Sequence, residues 1–230
     1  MSKNVRAATL DRSDAERVSD HGVFPPPRSA RKRIARAVGT LMLAAFLTYG
    51  VGSAIATGIA GTDGAGGPNP LFTVATLSML LDSAIVIGIG VLMLPILRQH
   101  NRAIAGGYLL TRVVEGVGLA VGVASLVWLS GSAAVNTNFL AYNIAMAGLG
   151  VGSLFFCFLL FTTRLVPRFL AAWGFVGYAS MAAGCLLEIA GVGGAGMVGV
   201  IPGGLFELTF GIWLIARGFN SVGARNHPAR

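Results

Sequence analysis

The sequence predicts an all-α fold, a polytopic membrane bundle of six transmembrane helices, and three observations predict it. Of the 230 residues 54% are hydrophobic and only 11% charged, where an average soluble domain is about a quarter charged. Six apolar stretches each approach the ~20 residues that a helix needs to cross a ~30 Å hydrocarbon layer. The short segments between them alternate between uncharged and basic, which places both termini on the same, cytoplasmic side by the positive-inside rule.

Taken in order, residues 1–33 read as a disordered basic cytoplasmic tail. They are polar and mixed in charge, they carry Pro25, Pro26 and Pro27, and they show no apolar periodicity. The first apolar run begins near Val38, after this tail, so a cleavable signal peptide is not expected. Arg28, Arg31, Lys32, Arg33 and Arg36 abut that run and suit contact with anionic lipid headgroups. Six spans follow within a membrane domain over 34–219, at 38–60, 73–97, 104–129, 139–162, 169–189 and 197–216, and 220–230 form a short cytoplasmic C-terminal tail.

The separators test the count. Segments 61–72, 130–138 and 190–196 contain no Lys or Arg and are rich in Gly, Ser, Asn and Pro with a lone Asp63, whereas Arg98 and Arg102, Arg164 and Arg168, and Arg217, Arg225 and Arg230 follow alternate spans. All but Arg112 of the seventeen Lys and Arg thereby fall on one side. Losing or merging a span would scatter them over both. A nucleic-acid binder would instead gather its basic residues on one domain among aromatics, so the net charge of +8 reports topology; the partner is the lipid bilayer. Trp128, Trp173, Trp213 and Tyr178 sit toward span ends, as interfacial aromatic belts do.

Thirty-three glycines suit close helix crossings in lipid. Gly118 and Gly122, Gly148 and Gly152, and Gly199 and Gly203 stand at i, i+4 spacing, and packing within the bundle is favoured over homodimerisation because every helix of a bundle needs neighbours.

Four ionisable residues fall inside the spans: Asp82, Arg112, Glu115 and Glu207. Each costs about 2.5–3.5 kcal/mol at a helix centre even on the lenient insertion scale, so all four are expected to point inward. Counting 1.5 Å per residue from the span ends puts them in one layer near the midplane. Arg112 and Glu115, three apart, face the same way, and Gly203, Glu207 and Gly211 form an i, i+4, i+8 row. Three carboxylates against one arginine leave the layer formally at −2, which calls for a proton or a bound cation. Two readings follow: a site for a proton, cation or small polar solute, or an internal polar network that only fixes helix register with Arg112 as its hub. Tyr49, Ser53 and Thr57 on the first span, with Tyr142 and Asn143 on the fourth, are candidates for the lining, although isolated hydroxyls in membrane helices more often bond a backbone carbonyl. Glu188 lies at an outer span end, where exposure is cheap. Pro202 leaves two alternatives, a sixth helix that kinks there or one that starts there.

His21, His100 and His227 all fall outside the spans, so no buried histidine cluster is expected to bind zinc or haem, and no cofactor or metal is expected. No GxSxG, HExxH or phosphate-loop pattern occurs. Enzyme readings retain only carboxylate chemistry. Cys157 and Cys185 lie deep in apolar stretches without disulfide or metal spacing and read as small core residues.

Several stretches resemble the bacterial multi-pass membrane family catalogued as domain of unknown function 4386. They are 108–115 (YLLTRVVE), 164–170 (RLVPRFL) running on to Gly177 and Tyr178, 202–219 (PGGLFELTFGIWLIARGF), and 80–82 (LLD) leading to Pro95 and 98–101 (RQHN). The resemblance spans roughly Arg33 to Phe219. It implies six helices and highlights Glu115 and Glu207, and names no substrate. Together with the preference for arginine over lysine it points to the inner, cytoplasmic membrane of a bacterium. The leading functional expectation is a proton-coupled or small-solute permease or a sensor of that kind; the second is a non-catalytic accessory or structural membrane subunit.

Overall fold

The computed structural model describes residues 27–61 and 69–220. Within them the chain forms six α-helices, α1 (Arg28–Ala60), α2 (Pro70–Leu97), α3 (Arg102–Trp128), α4 (Gly131–Thr163), α5 (Arg168–Ile189) and α6 (Ala195–Ala216), each long and apolar enough to cross a membrane. Even the 22-residue helices α5 and α6 reach roughly 33 Å at 1.5 Å per residue. Large apolar side chains face outward on every helix, among them Leu47, Leu77, Val117, Phe155, Val176 and Ile212. Lipid is the solvent in which that surface is stable, and the protein is an integral membrane protein.

The helices close into a ring. Each packs against its neighbours in sequence and α1 returns to pack against α6. Glycines make the crossings close: a Cβ on Gly39 of α1 would strike the Gly211 carbonyl of α6, one on Gly184 of α5 would stand 2.6 Å from Cα of Gly199 on α6, and one on Gly122 of α3 would meet Asn138 of α4. Gly118, Gly152 and Gly203 likewise face Ala145, Thr111 and Gly177 of adjacent helices, so their small faces are used inside the bundle.

All six helices begin earlier than their apolar patterns suggest, three of them by three residues or more. Helix α1 starts at Arg28, so residues 28–33 are helical and only 1–26 of the expected tail lie outside the described residues. Arg, Ala, Lys and Ile are adequate helix formers, and an end that protrudes into the headgroup layer needs no apolar face; Pro27 sets the stop. Helix α2 starts at Pro70, capped by Asn69, whose side-chain oxygen accepts from Leu71 N–H at 3.0 Å. Helix α4 starts at Gly131, so all but Ser130 of the polar segment 130–138 forms about two extra helical turns. Helix α6 runs from Ala195 through Pro202, so it starts before the proline rather than at it. Glu207, twelve residues from Ala195, therefore lies roughly 18 Å along the helix.

At one end of the ring the described basic residues other than Arg112 gather, because they stand at alternate helix ends and consecutive helices pack side by side. Arg164 there takes a left-handed conformation at φ 55°, and its carbonyl accepts a hydrogen bond from Asn220 Nδ2 at 3.0 Å, while Asn220 N–H donates to Leu165 O at 2.8 Å. The segment after α6 is thereby tied to the α4–α5 turn, close to the start of α1.

Candidate functional site

Arg112 is the hub of the bundle's buried polar side chains. It projects from α3 with 2% exposure, and each of its guanidinium nitrogens has a partner. Nε donates to Tyr108 Oη at 3.0 Å, Nη1 to Glu115 Oε2 at 2.9 Å and Nη2 to Glu207 Oε1 at 2.9 Å. Tyr108, Arg112 and Glu115 come from one face of α3 at i, i+4 and i, i+3 spacing. Glu207 reaches across from α6 and also accepts from Tyr178 Oη of α5 at 2.6 Å. Removing a charge of this kind from water costs several kcal/mol, and only dense hydrogen bonding of the type seen here offsets it.

Asp82 is different. It is equally buried on α2, yet it forms no ion pair among the described residues and accepts one long hydrogen bond, from Thr48 Oγ1 at 3.3 Å. That hydroxyl sits closer to its own helix, at 3.0 Å from Ala44 O, and a single hydroxyl hydrogen cannot serve both acceptors at full strength. The layer expected from the sequence thus divides into a paired Arg112–Glu115–Glu207 cluster and a carboxyl group without a cationic partner.

Both parts border one cavity of about 200 Å³, to which all six helices contribute. Asp82, Arg112, Glu115 and Glu207 form its polar wall, Met42, Val86, Ile89, Leu119, Met146 and Met181 its apolar one, and Tyr49 and Tyr142 also line it. Tyr49 and Tyr142 stack across the ring from α1 to α4, with centroids 5.4 Å apart. Toward the basic end, outside the cavity lining, runs a chain of buried rings: Tyr108 on Phe156 at 4.4 Å, Phe156 on Phe210 at 6.0 Å, Phe210 on Phe206 at 5.5 Å and Phe206 on Tyr178 at 5.5 Å. Of the lining residues only Phe46 and Gly50 are exposed, and the Phe46 ring lies beside Gly204 of α6. The mouth therefore lies laterally, in the seam between α1 and α6. Those helices meet tightly at Gly39 and Gly211, then leave open space beside Gly50. Glu207, whose side chain is 13% exposed against 2% for Arg112, is the member of the cluster nearest to that mouth.

The remaining candidates fall as follows. Ser53 and Asn143 do not line the cavity. The Ser53 carbonyl accepts from Thr57 Oγ1 at 2.7 Å, the backbone bond typical of membrane hydroxyls. Asn143 donates from Nδ2 to Phe139 O at 2.9 Å, and its Oδ1 lies against Gly196 of α6, where a Cβ would strike it. Glu188 is no free interfacial charge: its Oε2 accepts from Gly196 N–H at 2.8 Å and so clasps the α5–α6 turn. Tyr178 is not an interfacial belt residue either; it is fully buried, with its hydroxyl on Glu207. Sequence reasoning missed Tyr108 and Thr48. Tyr108 was open to detection, since it stands four residues before Arg112; for Thr48 and for the role of Tyr178 only the fold supplies the partner. Cys157 and Cys185 are free and buried.

A family described as Domain of unknown function (DUF4386) matches residues 37–218. No curated protein and no solved structure matches the chain.

Proposed function

Starting from a chain that belongs to the DUF4386 family, whose description names no activity, we propose that the midplane cavity is a binding site for a proton or a small organic cation, and that the protein acts as a proton-coupled or small-solute permease or as a sensor of such a solute. The observation that carries this reading is Asp82: a carboxyl group 2% exposed, with no cationic partner among the described residues, on the wall of a cavity. Such a group is neutralised by a proton or by a bound cation. Among the described residues no three of His, Cys, Asp and Glu are gathered as metal ligands, which favours a proton or an ammonium group over a metal ion. Tyr49, Tyr142 and three methionines would surround the apolar part of such a cation.

The lateral mouth supports entry from the bilayer for an amphipathic solute, and the aromatic chain toward the basic end supports a closed state on that side. The positive-inside rule supports placing the basic end, with both termini, in the cytoplasm of a bacterial cell. Single cysteines at Asp63 and His100 test the orientation: an impermeant maleimide added to intact cells labels the first and spares the second, and labelling of both from one side removes the topology.

The deciding experiment uses proteoliposomes under an imposed pH gradient. Wild-type protein is expected to take up protons faster than empty liposomes, and Asp82→Asn to abolish the uptake while the bundle keeps its thermal stability, since an amide fills the same space without a charge to neutralise. Uptake equal to that of empty liposomes, together with an Asp82→Asn variant less stable than wild type, would leave the second reading, a structural subunit whose polar layer holds helices in register. The specific observation in favour of that second reading is that all three guanidinium nitrogens of Arg112 bond protein side chains.

A further inference from the structure

At the basic end, away from the midplane cavity, the start of α1 and the end of α6 enclose a second hollow of about 570 Å³, bordered by Arg31, Lys32, Trp213, Arg217, Phe219 and Asn220. Two donors on its wall are buried and have no hydrogen-bond partner among the described residues, Arg31 Nη2 and Trp213 Nε1. Buried donors of that kind are rare unless something absent from the polypeptide satisfies them. The charge is likewise unmatched. Arg31, Lys32 and Arg217 form no ion pair among the described residues, and the described acidic residues, Asp82, Glu115, Glu188 and Glu207, lie in the interior or at the opposite end. Arg217 is held in place, its guanidinium 5.8 Å above the Trp213 ring, and Asn220 pins the adjoining chain to the α4–α5 turn.

We infer that this hollow binds a phosphate ester anion, supplied by the headgroup of an anionic phospholipid. A phosphate offers several acceptor oxygens to the fork of an arginine, to a lysine and to an indole N–H at once, which a single carboxylate does not. The location fits the source. Trp213 and Phe219 stand at a helix end, the level at which lipid phosphates lie and at which tryptophan N–H groups meet headgroups. This site is independent of the cavity around Arg112, so either can fail without the other.

The test is lipid binding to the full-length protein in a neutral detergent, followed by native mass spectrometry and by thermal unfolding. The probes are short-chain phosphatidylglycerol, phosphatidylcholine of the same chain length, and glycerol phosphate. Phosphatidylglycerol is expected to bind at least about tenfold more tightly than phosphatidylcholine, and the pair Arg31→Gln with Arg217→Gln to remove about tenfold or more of that affinity, given roughly 1 kcal/mol per basic contact. Trp213→Phe, which keeps the ring and removes the N–H, is expected to weaken binding without loss of fold. The control pair Arg98→Gln with Arg168→Gln, on the same end but outside the hollow, is expected to leave the affinity unchanged. Equal binding of the two lipids, or an equal loss in the control pair, overturns the site. Glycerol phosphate that competes as well as the lipid keeps the phosphate site and overturns the lipid as its source.

Discussion

Arg112 of α3 and Glu207 of α6 are 95 residues apart in sequence and meet at 2.9 Å, although their helices are not neighbours in the ring. This pair is a strut across the bundle's interior. It holds Glu207 beside Tyr178 and keeps a charged wall on the cavity, and its energetic character follows from burial. Both ions lose water, and the pair is stable because each charge has several partners.

Removal of the hub is therefore expected to be severe. Arg112→Met leaves Glu115 and Glu207 buried without a cation and should destabilise the bundle by about 3–5 kcal/mol. The triple variant that adds Glu115→Gln and Glu207→Gln should recover much of that loss, because the two carboxylates that Arg112 pairs are then neutral. Unfolding in mixed micelles measures both; a triple variant no more stable than Arg112→Met would rule out charge as the cause.

The tyrosine hydroxyl on Glu207 makes a subtler prediction. Tyr178→Phe removes the 2.6 Å bond and keeps the ring on Phe206, so a loss of about 1.5–3 kcal/mol is expected, the range for hydrogen bonds to charged groups. In combination with Glu207→Gln the two losses should fall short of their sum, the sign of direct coupling.

Glycine positions separate close contact from mere flexibility. Gly184→Ala places a Cβ 2.5 Å from Ala195 O and 2.6 Å from Cα of Gly199, so α5 and α6 must part and thermal stability should fall. Gly58 has nothing within 4 Å of its Cβ position, and Gly58→Ala should be neutral or stabilising by up to about 1 kcal/mol. Equal behaviour of the two variants would remove the close α5–α6 crossing from the account.

Entry through the seam between α1 and α6 is open to chemistry. Gly50→Cys puts a thiol at the mouth, with Cys157 and Cys185 buried as a low background. A lipid-soluble maleimide is expected to label it faster than a charged, impermeant one, and Phe46→Trp, which enlarges the ring beside Gly204, should slow the labelling. Faster reaction with the charged reagent would point to a water-filled path from one face.

Much of the fold was legible because lipid imposes its own length and charge rules. Six runs near ~20 residues, separated by alternately basic turns, admit few alternatives. The helix starts at Arg28 and Gly131 were less legible, since a helix that protrudes from the hydrocarbon layer carries no apolar signature there. At the site, Asp82, Arg112, Glu115 and Glu207 stood out by the cost of burying charge in lipid, and the structure brings all four to one cavity. Polar side chains stood out less well: Thr57 and Asn143 bond backbone carbonyls, whereas Thr48 and Tyr178 reach the carboxylates.

By itself the sequence determined that most of this chain is dissolved in lipid, in six crossings, with four ionisable groups turned inward, because hydrocarbon penalises every exposed polar group wherever its helix stands. Only the tertiary structure decided which carboxylates share Arg112 and which one is left alone. Hydrogen bonds and ion pairs act over about 3 Å, and that distance depends on the order of helices around the ring and on the glycine contacts that set their separation.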